Sequence, residues 1–160
     1  MTDPTRAQHG SATVETSGQG IVRECPSCQV KNRVPVEHLA STGRCGSCKA
    51  DLPPLSEPLD VDEATFDAVV RESKVPVLVD FWAAWCGPCR MAAPEVHKTA
   101  ASMAGRAIVL KVDTDRESAL AERYRVFSIP NFLVLKEGRV VMQRPGMVPH
   151  STLEDWLRSA

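Results

Sequence analysis

The chain has 160 residues, of which 43% are hydrophobic, so it is long enough for one ordinary domain with a core and a smaller appendage. Its 19 basic and 20 acidic residues give a formal net charge of -1. This balance excludes binding driven by bulk charge, and we expect neither nucleic acid nor a membrane surface as a partner.

The first 20 residues, MTDPTRAQHGSATVETSGQG, are polar and contain no apolar run of the kind that a secretory signal or a membrane span requires. We therefore expect a disordered tail at residues 1–20 and a cytoplasmic protein. In that reducing compartment, six cysteines favour metal binding or transient catalytic oxidation over three structural disulfides.

Residues 21–50 contain two CxxC pairs, CPSC and CGSC. The resulting spacing, C-x2-C-x16-C-x2-C, is typical of a four-thiolate zinc site formed by Cys25, Cys28, Cys45 and Cys48. Because this stretch has few large apolar side chains, metal ligation would supply free energy for folding. Two redox disulfides or free thiols are the alternative, and iron also suits four thiolates. Four sulfurs fill a tetrahedron, which predicts a structural site and leaves His38 at the surface.

Residues 51–60, DLPPLSEPLD, are rich in proline and predict a semi-rigid linker. After this boundary the pattern becomes α/β. The segment VDEATFDAVVRES places Phe66, Val69 and Val70 at helical spacing. The apolar run PVLVDFW that follows predicts a central strand covered on both faces.

The remaining elements alternate in the same way. A helix is expected from Pro88 to about Met103, then a strand in AIVLKVD and a short helix in ESALAERY. NFLVLKEG and RVVMQRPG predict a hairpin that turns near Glu137 and Gly138. The chain is expected to end in a helix that begins with a capping box between Ser151 and Glu154.

The third cysteine pair lies between a predicted central strand and a predicted helix, within FWAAWCGPCRM. Cys86 therefore falls at a helix N-terminus, where free amides and the helix dipole favour the thiolate. Cys89, one turn further on, is close enough to attack a mixed disulfide formed at Cys86. Metal binding is the alternative, but the first two cysteine pairs already complement each other and leave this third pair without a second pair of ligands. The position therefore predicts catalytic redox chemistry. Asp80 interrupts the apolar strand, where burial should raise its pKa.

Three of these motifs resemble those of a known family. WCGPC at 85–89, VDFWA at 79–83 and SIP at 128–130 resemble the thioredoxin family over about residues 57–160. With the four-cysteine extension, the chain is similar to its zinc-containing thioredoxin 2 (thioredoxin C) type. The resemblance implies an α/β thioredoxin fold at residues 61–160, with a central mixed β-sheet flanked by helices, and a small zinc-ribbon-like module before it. It also implies a protein-disulfide reductase.

The resemblance further implies roles for individual residues. Cys86 would be the attacking thiolate and Cys89 the resolving thiol, with the turn between them fixed by Gly87 and Pro88. Asp80 would help to take the proton from the resolving thiol through water.

Lys111 matches the lysine that lies near this acid in the family, and an ordinary surface lysine is the alternative.

A substrate surface is implied in the same way. Pro130 resembles the cis-proline that packs opposite the active-site disulfide, and the backbone at Ile129 would pair with an extended substrate segment. Trp85 and Gly146, with Met147, would complete the apolar rim.

The family also implies partners: disulfide-containing proteins as substrates and an NADPH-dependent thioredoxin reductase that restores the dithiol. We expect a structural Zn²⁺, no organic cofactor and a monomer. A thiol oxidase or disulfide isomerase is one alternative, against which the Gly-Pro dipeptide and the lack of a signal sequence argue. A non-enzymatic interaction module is the other, and the intact CGPC, Asp80 and SIP set argues against it.

Overall fold

The computed structural model describes residues 20–160. The tail expected at residues 1–20 thus lies outside the described residues except for Gly20, which begins the first strand. No helix in the described residues is long and apolar enough to cross a membrane.

The N-terminal module consists of two small antiparallel hairpins. The first pairs β1, Gly20–Glu24, with β2, Lys31–Pro35. A short 3-10 helix, Val36–His38, leads to the second hairpin, in which β3, Gly43–Arg44, pairs with β4, Asp51–Leu52. Each CxxC pair follows the first strand of its hairpin, so the two pairs occupy equivalent positions.

The rest of the chain forms one mixed sheet with helices on both faces. Its elements in chain order are β5 Leu59–Asp60, α1 Glu63–Glu72, β6 Val77–Trp82, α2 Gly87–Ser102, β7 Ile108–Asp113, α3 Ser118–Arg123, β8 Asn131–Lys136, β9 Arg139–Pro145 and α4 His150–Ser159. The strand order is β5-β7-β6-β8-β9. The first three strands in this order run parallel, whereas β8 and β9 are antiparallel to their neighbours. The predicted fold class is confirmed.

The central strand β6 is buried on both faces, as its apolar sequence predicted. Its side chains alternate between two cores. Val79 and Phe81 pack in the cluster that also contains residues of α1, and Leu78 packs in the cluster that contains residues of α2 and α4. Because side chains alternate along a strand, Asp80 lies on the same face as Leu78, beneath α2.

The predicted hairpin forms between β8 and β9. Glu137 and Gly138 form its turn with positive φ angles of 50° and 77°. Two successive positive φ angles match the right-handed twist of the two strands, and glycine adopts such an angle without steric cost.

The predicted capping box of the last helix is wrong. Pro149 is the N-cap residue of α4 and makes no side-chain capping bond, while Glu154 bonds to Ser102 and Arg158 instead. The helix begins one residue before Ser151 because a carboxylate from another helix caps it. Glu95 of α2 accepts hydrogen bonds from the backbone N–H and the ring nitrogen Nδ1 of His150, both at 2.6 Å.

The N-terminal module shares the core of the main sheet. Ile21, Val36 and Leu39 are buried in the same apolar cluster as residues of α1 and β6. The segment 51–60 packs with them: Leu55 is buried and its amide donates to the Leu39 carbonyl at 2.8 Å.

The module contacts the end of the sheet that lies away from Cys86. The Ala40 carbonyl lies close to Gly105, which precedes β7, whereas Cys86 follows the parallel strand β6.

Candidate active site and metal centre

Cys86 and Cys89 are joined by a disulfide at the junction between β6 and α2. Cys86 is the N-cap residue of α2, and its sulfur accepts a hydrogen bond from the Cys89 amide at 3.2 Å. Pro88 lies in the first turn, where a missing N–H costs nothing because the first helical amides have no partner within the helix. A thiolate at Cys86 would therefore receive the amide donors and the positive end of the helix dipole.

A carboxyl group lies in the core beneath this helix. Asp80 is 2% exposed, and its Oδ1 atom has no hydrogen-bond partner among the described residues. Burial raises the pKa of Asp80 to about 7, although the positive charge of Lys111 opposes the shift and the negative charge of Asp60 adds to it. A group that titrates near neutral pH can exchange protons with a thiol.

Lys111 lies directly across from Asp80 in the parallel pair of β6 and β7. Its Nζ atom lies 4.3 Å from the centroid of the Trp82 ring. This cation–π contact holds the ammonium group on the Asp80 side of the sheet, since Trp82 is two residues further along the same strand.

The cis-proline loop faces the disulfide. The Ile129–Pro130 peptide bond is cis, and the Ile129 carbonyl oxygen lies 3.7 Å from the Cys86 sulfur. The Gly146 amide donates to the Pro130 carbonyl at 2.8 Å, and Gly146 has a φ of 91°, which favours glycine. The structure thus brings Ile129, Pro130 and Gly146 together around Cys86.

Exposed apolar side chains surround this loop. Trp85 is 68% exposed, and its indole N–H donates to the Asp115 carboxylate at 3.0 Å, which fixes the ring at the surface. Met147 is also exposed.

Phe127, which belongs to none of the sequence motifs, is 90% exposed and lies two residues before Ile129. Its neighbour Val126 packs partly against the core, whereas the Phe127 ring faces solvent.

The four N-terminal cysteines converge on one point. Their sulfur atoms all lie within 4.8 Å of one another. The Cys25 and Cys48 sulfurs are 3.6 Å apart, as are those of Cys28 and Cys45. Four sulfurs around a zinc ion at the usual bond length would be separated by about 3.8 Å, so the residues present fit this metal.

The two CxxC knuckles have the same backbone conformation. The Cys25 carbonyl accepts a hydrogen bond from the Gln29 amide, and the Cys45 carbonyl accepts one from the Lys49 amide. The two donor residues, Gln29 and Lys49, have positive φ angles of 64° and 63°. In each knuckle the first sulfur also faces backbone amides. The amides of Cys48 and Ser47 lower the pKa of Cys45 to about 6. Such donors stabilise the thiolate, which is the form that binds metal.

Asn32 connects the two knuckles. Its side-chain amide lies 3.5 Å from the Cys45 sulfur and donates to the Val30 carbonyl at 3.0 Å, while its oxygen accepts from the Gly46 amide at 2.9 Å. The side chain thus bonds to the second knuckle from the first hairpin and would orient the Cys45 sulfur toward a metal. His38 is exposed and is not part of the cysteine cluster.

The fold and the cysteine pair beside a cis-proline define a thiol–disulfide oxidoreductase. The family model described as "Thioredoxin" matches residues 57–159, and the zinc-ribbon family described as "Thioredoxin 2, N-terminal" matches residues 24–50.

The chain is 38% identical over 133 residues to thioredoxin C-3 of Corynebacterium nephridii, covering 83% of this chain and 90% of that protein. It is 46% identical over 97 residues to thioredoxin 1 of Synechococcus elongatus, covering 61% and 91%. Among solved structures, a thioredoxin mutant from Halobacterium salinarum matches with a TM-score of 0.61 at 35% identity, covering 65% of this chain and 90% of that one. The chain therefore belongs to the thioredoxin family.

Proposed function

We propose that this thioredoxin-family disulfide reductase uses Cys86 as its nucleophile and Cys89 as its resolving thiol. The observation that carries the assignment is the position of Cys86, whose sulfur caps α2 and lies 3.7 Å from the Ile129 carbonyl oxygen, next in sequence to the exposed Trp85. Both cysteines are buried in this disulfide form, at 3% and 4% exposure, so the helix terminus distinguishes them: Cys86 lies at the N-cap of α2, where the free amides favour its thiolate, and Cys89 lies within the helix.

The proposed reaction has two exchange steps. The Cys86 thiolate attacks one sulfur of a substrate disulfide, which forms a mixed disulfide and releases the other substrate sulfur as a thiolate. The Cys89 thiol loses its proton and attacks the Cys86 sulfur, which forms the intramolecular disulfide and releases the second substrate thiolate. Two electrons pass from the dithiol to the substrate, and NADPH replaces them through a thioredoxin reductase.

Asp80 is proposed as the group that accepts the proton from Cys89, through water. Its location beneath α2 and its pKa of about 7 support this role, because the carboxylate form is available at neutral pH. Lys111 is proposed to tune that pKa through its positive charge.

Gly87 and Pro88 are proposed to hold the turn between the two cysteines, since they open α2 and separate the sulfur that caps the helix from the one inside it.

The proposed substrate surface consists of Trp85, Ile129, Pro130 and Gly146. An extended substrate segment would pair with the backbone at Ile129, which places its disulfide sulfur beside Cys86. The exposed Trp85 ring gives this surface apolar contact area.

For the N-terminal module we propose a structural Zn²⁺ held by Cys25, Cys28, Cys45 and Cys48. A bound zinc ion would supply folding free energy to two hairpins whose own apolar cluster is small, Cys25, Cys45 and Leu52. We further propose the division at residues 21–50 and 61–160 into a zinc module and a thioredoxin domain, a cytoplasmic location and a monomeric state.

The assignment is tested with two serine variants. We expect Cys86→Ser to abolish reduction of insulin disulfides, since no thiolate remains at the helix N-terminus. Cys89→Ser should instead accumulate a mixed disulfide with insulin, seen by mass spectrometry, because the second step cannot occur. Ala84→Ser, an exposed change two residues before Cys86, is the matched control and should retain turnover. Turnover by Cys86→Ser would refute the assignment.

A further inference from the structure

A cavity of about 490 Å³ lies between the two hairpins of the N-terminal module. Its lining includes Arg23 and Asn32 from the first hairpin, Arg44 and Leu52 from the second, and His38 from the connection. No acidic side chain lines it among the described residues. Its volume lies in the range of pockets that hold small organic molecules.

Arg23 is a half-buried cation in this cavity. Its Nη1 atom donates to the Pro53 carbonyl at 2.7 Å, which fixes the guanidinium group in place. The structure gives Arg23 no carboxylate within ion-pair distance in the described part of the chain, although the charge of Glu57 reaches it. The side chain of Arg23 is partly buried, so its charged form has lost part of its water without gaining an ion pair. An anion brought to this position would be favoured.

Arg44 supplies a second cation from the other hairpin. It lies across from Asp51 in the β3–β4 pair, yet the structure gives it no ion pair within residues 20–160. A guanidinium group offers donors in a planar fork that matches the oxygens of a phosphate or a carboxylate. A ligand that reaches both Arg23 and Arg44 would therefore connect the two hairpins.

The rest of the lining selects among anions. Ser41 and Thr42 add hydroxyl donors, which suits the larger number of acceptor oxygens on a phosphate group. Val34 and Leu52 give the cavity an apolar surface, which a free inorganic ion would leave uncovered. The surroundings thus combine a polar, positively charged side with an apolar side.

We propose that this cavity binds a small organic phosphate, with the phosphate between Arg23 and Arg44 and the organic body against Val34 and Leu52. The ligand would hold together the hairpins that carry the two cysteine knuckles. Its binding is therefore expected to slow the loss of metal from the N-terminal module. The alternative is that the two arginines only balance the negative charge of a metal bound by four thiolates.

The test is calorimetric titration of the zinc-loaded, oxidised full chain with AMP, inorganic phosphate and citrate at matched ionic strength. We expect AMP to bind at millimolar or lower concentration, more tightly than inorganic phosphate, which lacks an organic body. Citrate, which carries carboxylates but no phosphate, should bind more weakly than AMP. Equal or tighter citrate binding would overturn the assignment to phosphate, and no binding of AMP would overturn the site.

Variants locate the binding. Arg23→Gln and Arg44→Gln should each weaken AMP binding about tenfold or more, as expected for a lost charge-assisted hydrogen bond. Lys31→Gln is the matched control, since it removes one positive charge from the same hairpin outside the cavity lining. Equal weakening in all three variants would mean a general charge effect and would overturn the proposal. Zinc content, measured for each variant, separates loss of the site from loss of the module's fold.

The second readout is metal release. AMP should slow transfer of zinc from the wild-type chain to a chelator, and should have no such effect on Arg44→Gln. An unchanged release rate in the wild type, at concentrations that calorimetry shows to saturate the site, would contradict binding between the hairpins.

Discussion

Replacing Asp80 by Asn removes a carboxyl group that the fold holds in its core. The wild-type side chain is 2% exposed and burial raises its pKa to about 7, whereas a carboxyl in an unfolded chain ionises near its ordinary value of 3.8. Asn has the same shape and stays neutral at every pH. The variant therefore separates the ionisation of this one group from all other titrations.

The sign and size of the effect follow from proton linkage. Between the two pKa values the native state binds the proton that the unfolded state has released, so native stability falls as pH rises through this range. The native state gains stability by binding this proton. That gain is complete below pH 3.8 and has been lost once the pH exceeds about 7. The separation of the two pKa values corresponds to about 4 kcal/mol of stability, at 1.36 kcal/mol per pKa unit.

The assay is urea unfolding of the oxidised chain at a series of pH values, for wild type and Asp80→Asn. We expect the free energy of unfolding of the variant, relative to wild type, to rise by about 3 kcal/mol between about pH 5 and pH 8. Asp155→Asn, at an exposed position of α4, is the control and should show no such change. If the difference in the free energy of unfolding between Asp80→Asn and wild type does not vary with pH, the conclusion that Asp80 is buried and neutral is refuted.

Three further predictions concern the metal centre and the substrate surface. Asn32→Ala should speed zinc transfer to a chelator about tenfold, since residues that orient ligands change metal affinity by this order; unchanged kinetics would contradict its bonds to the second knuckle. Phe127→Ala should raise the KM for insulin several-fold with little change in kcat, because the exposed ring lies two residues before Ile129 and takes no part in proton transfer; an unaltered KM would mean that Phe127 does not contact the substrate. Zinc removal should expose the amides of β1 to β4 to hydrogen exchange and leave β6 protected, and equal loss of protection in both would mean that the two parts unfold together.

Periodicity and turn chemistry made most of the main sheet predictable. The alternation of two cores around β6 follows from an apolar run that leaves no face for solvent, and the turn at Glu137 and Gly138 follows from glycine at a positive φ. The grouping of the four N-terminal cysteines was predictable from their spacing alone. All of these signals are local in sequence.

What the sequence did not reveal depends on contacts between distant residues. Glu95 caps α4 from another helix 55 residues away, and a capping motif within α4 could not indicate this. The segment 51–60 was predicted as a linker from its prolines, but contacts with distant residues bury Leu52, Leu55 and Leu59 there. The bonds of Asn32 to Cys45 and Gly46 likewise could not be predicted, because they join two knuckles that are distant in sequence.

The division of the six cysteines into four metal ligands and one redox pair is the central claim, and native alkylation tests it most directly. The reduced, zinc-loaded chain is treated with iodoacetamide without denaturant, and the modified cysteines are identified by mass spectrometry beside a measurement of bound zinc. We predict rapid modification at Cys86, with one zinc ion per chain and the four N-terminal cysteines protected until a chelator is added. Chains without zinc, or rapid modification of the N-terminal cysteines while zinc stays bound, would contradict the account.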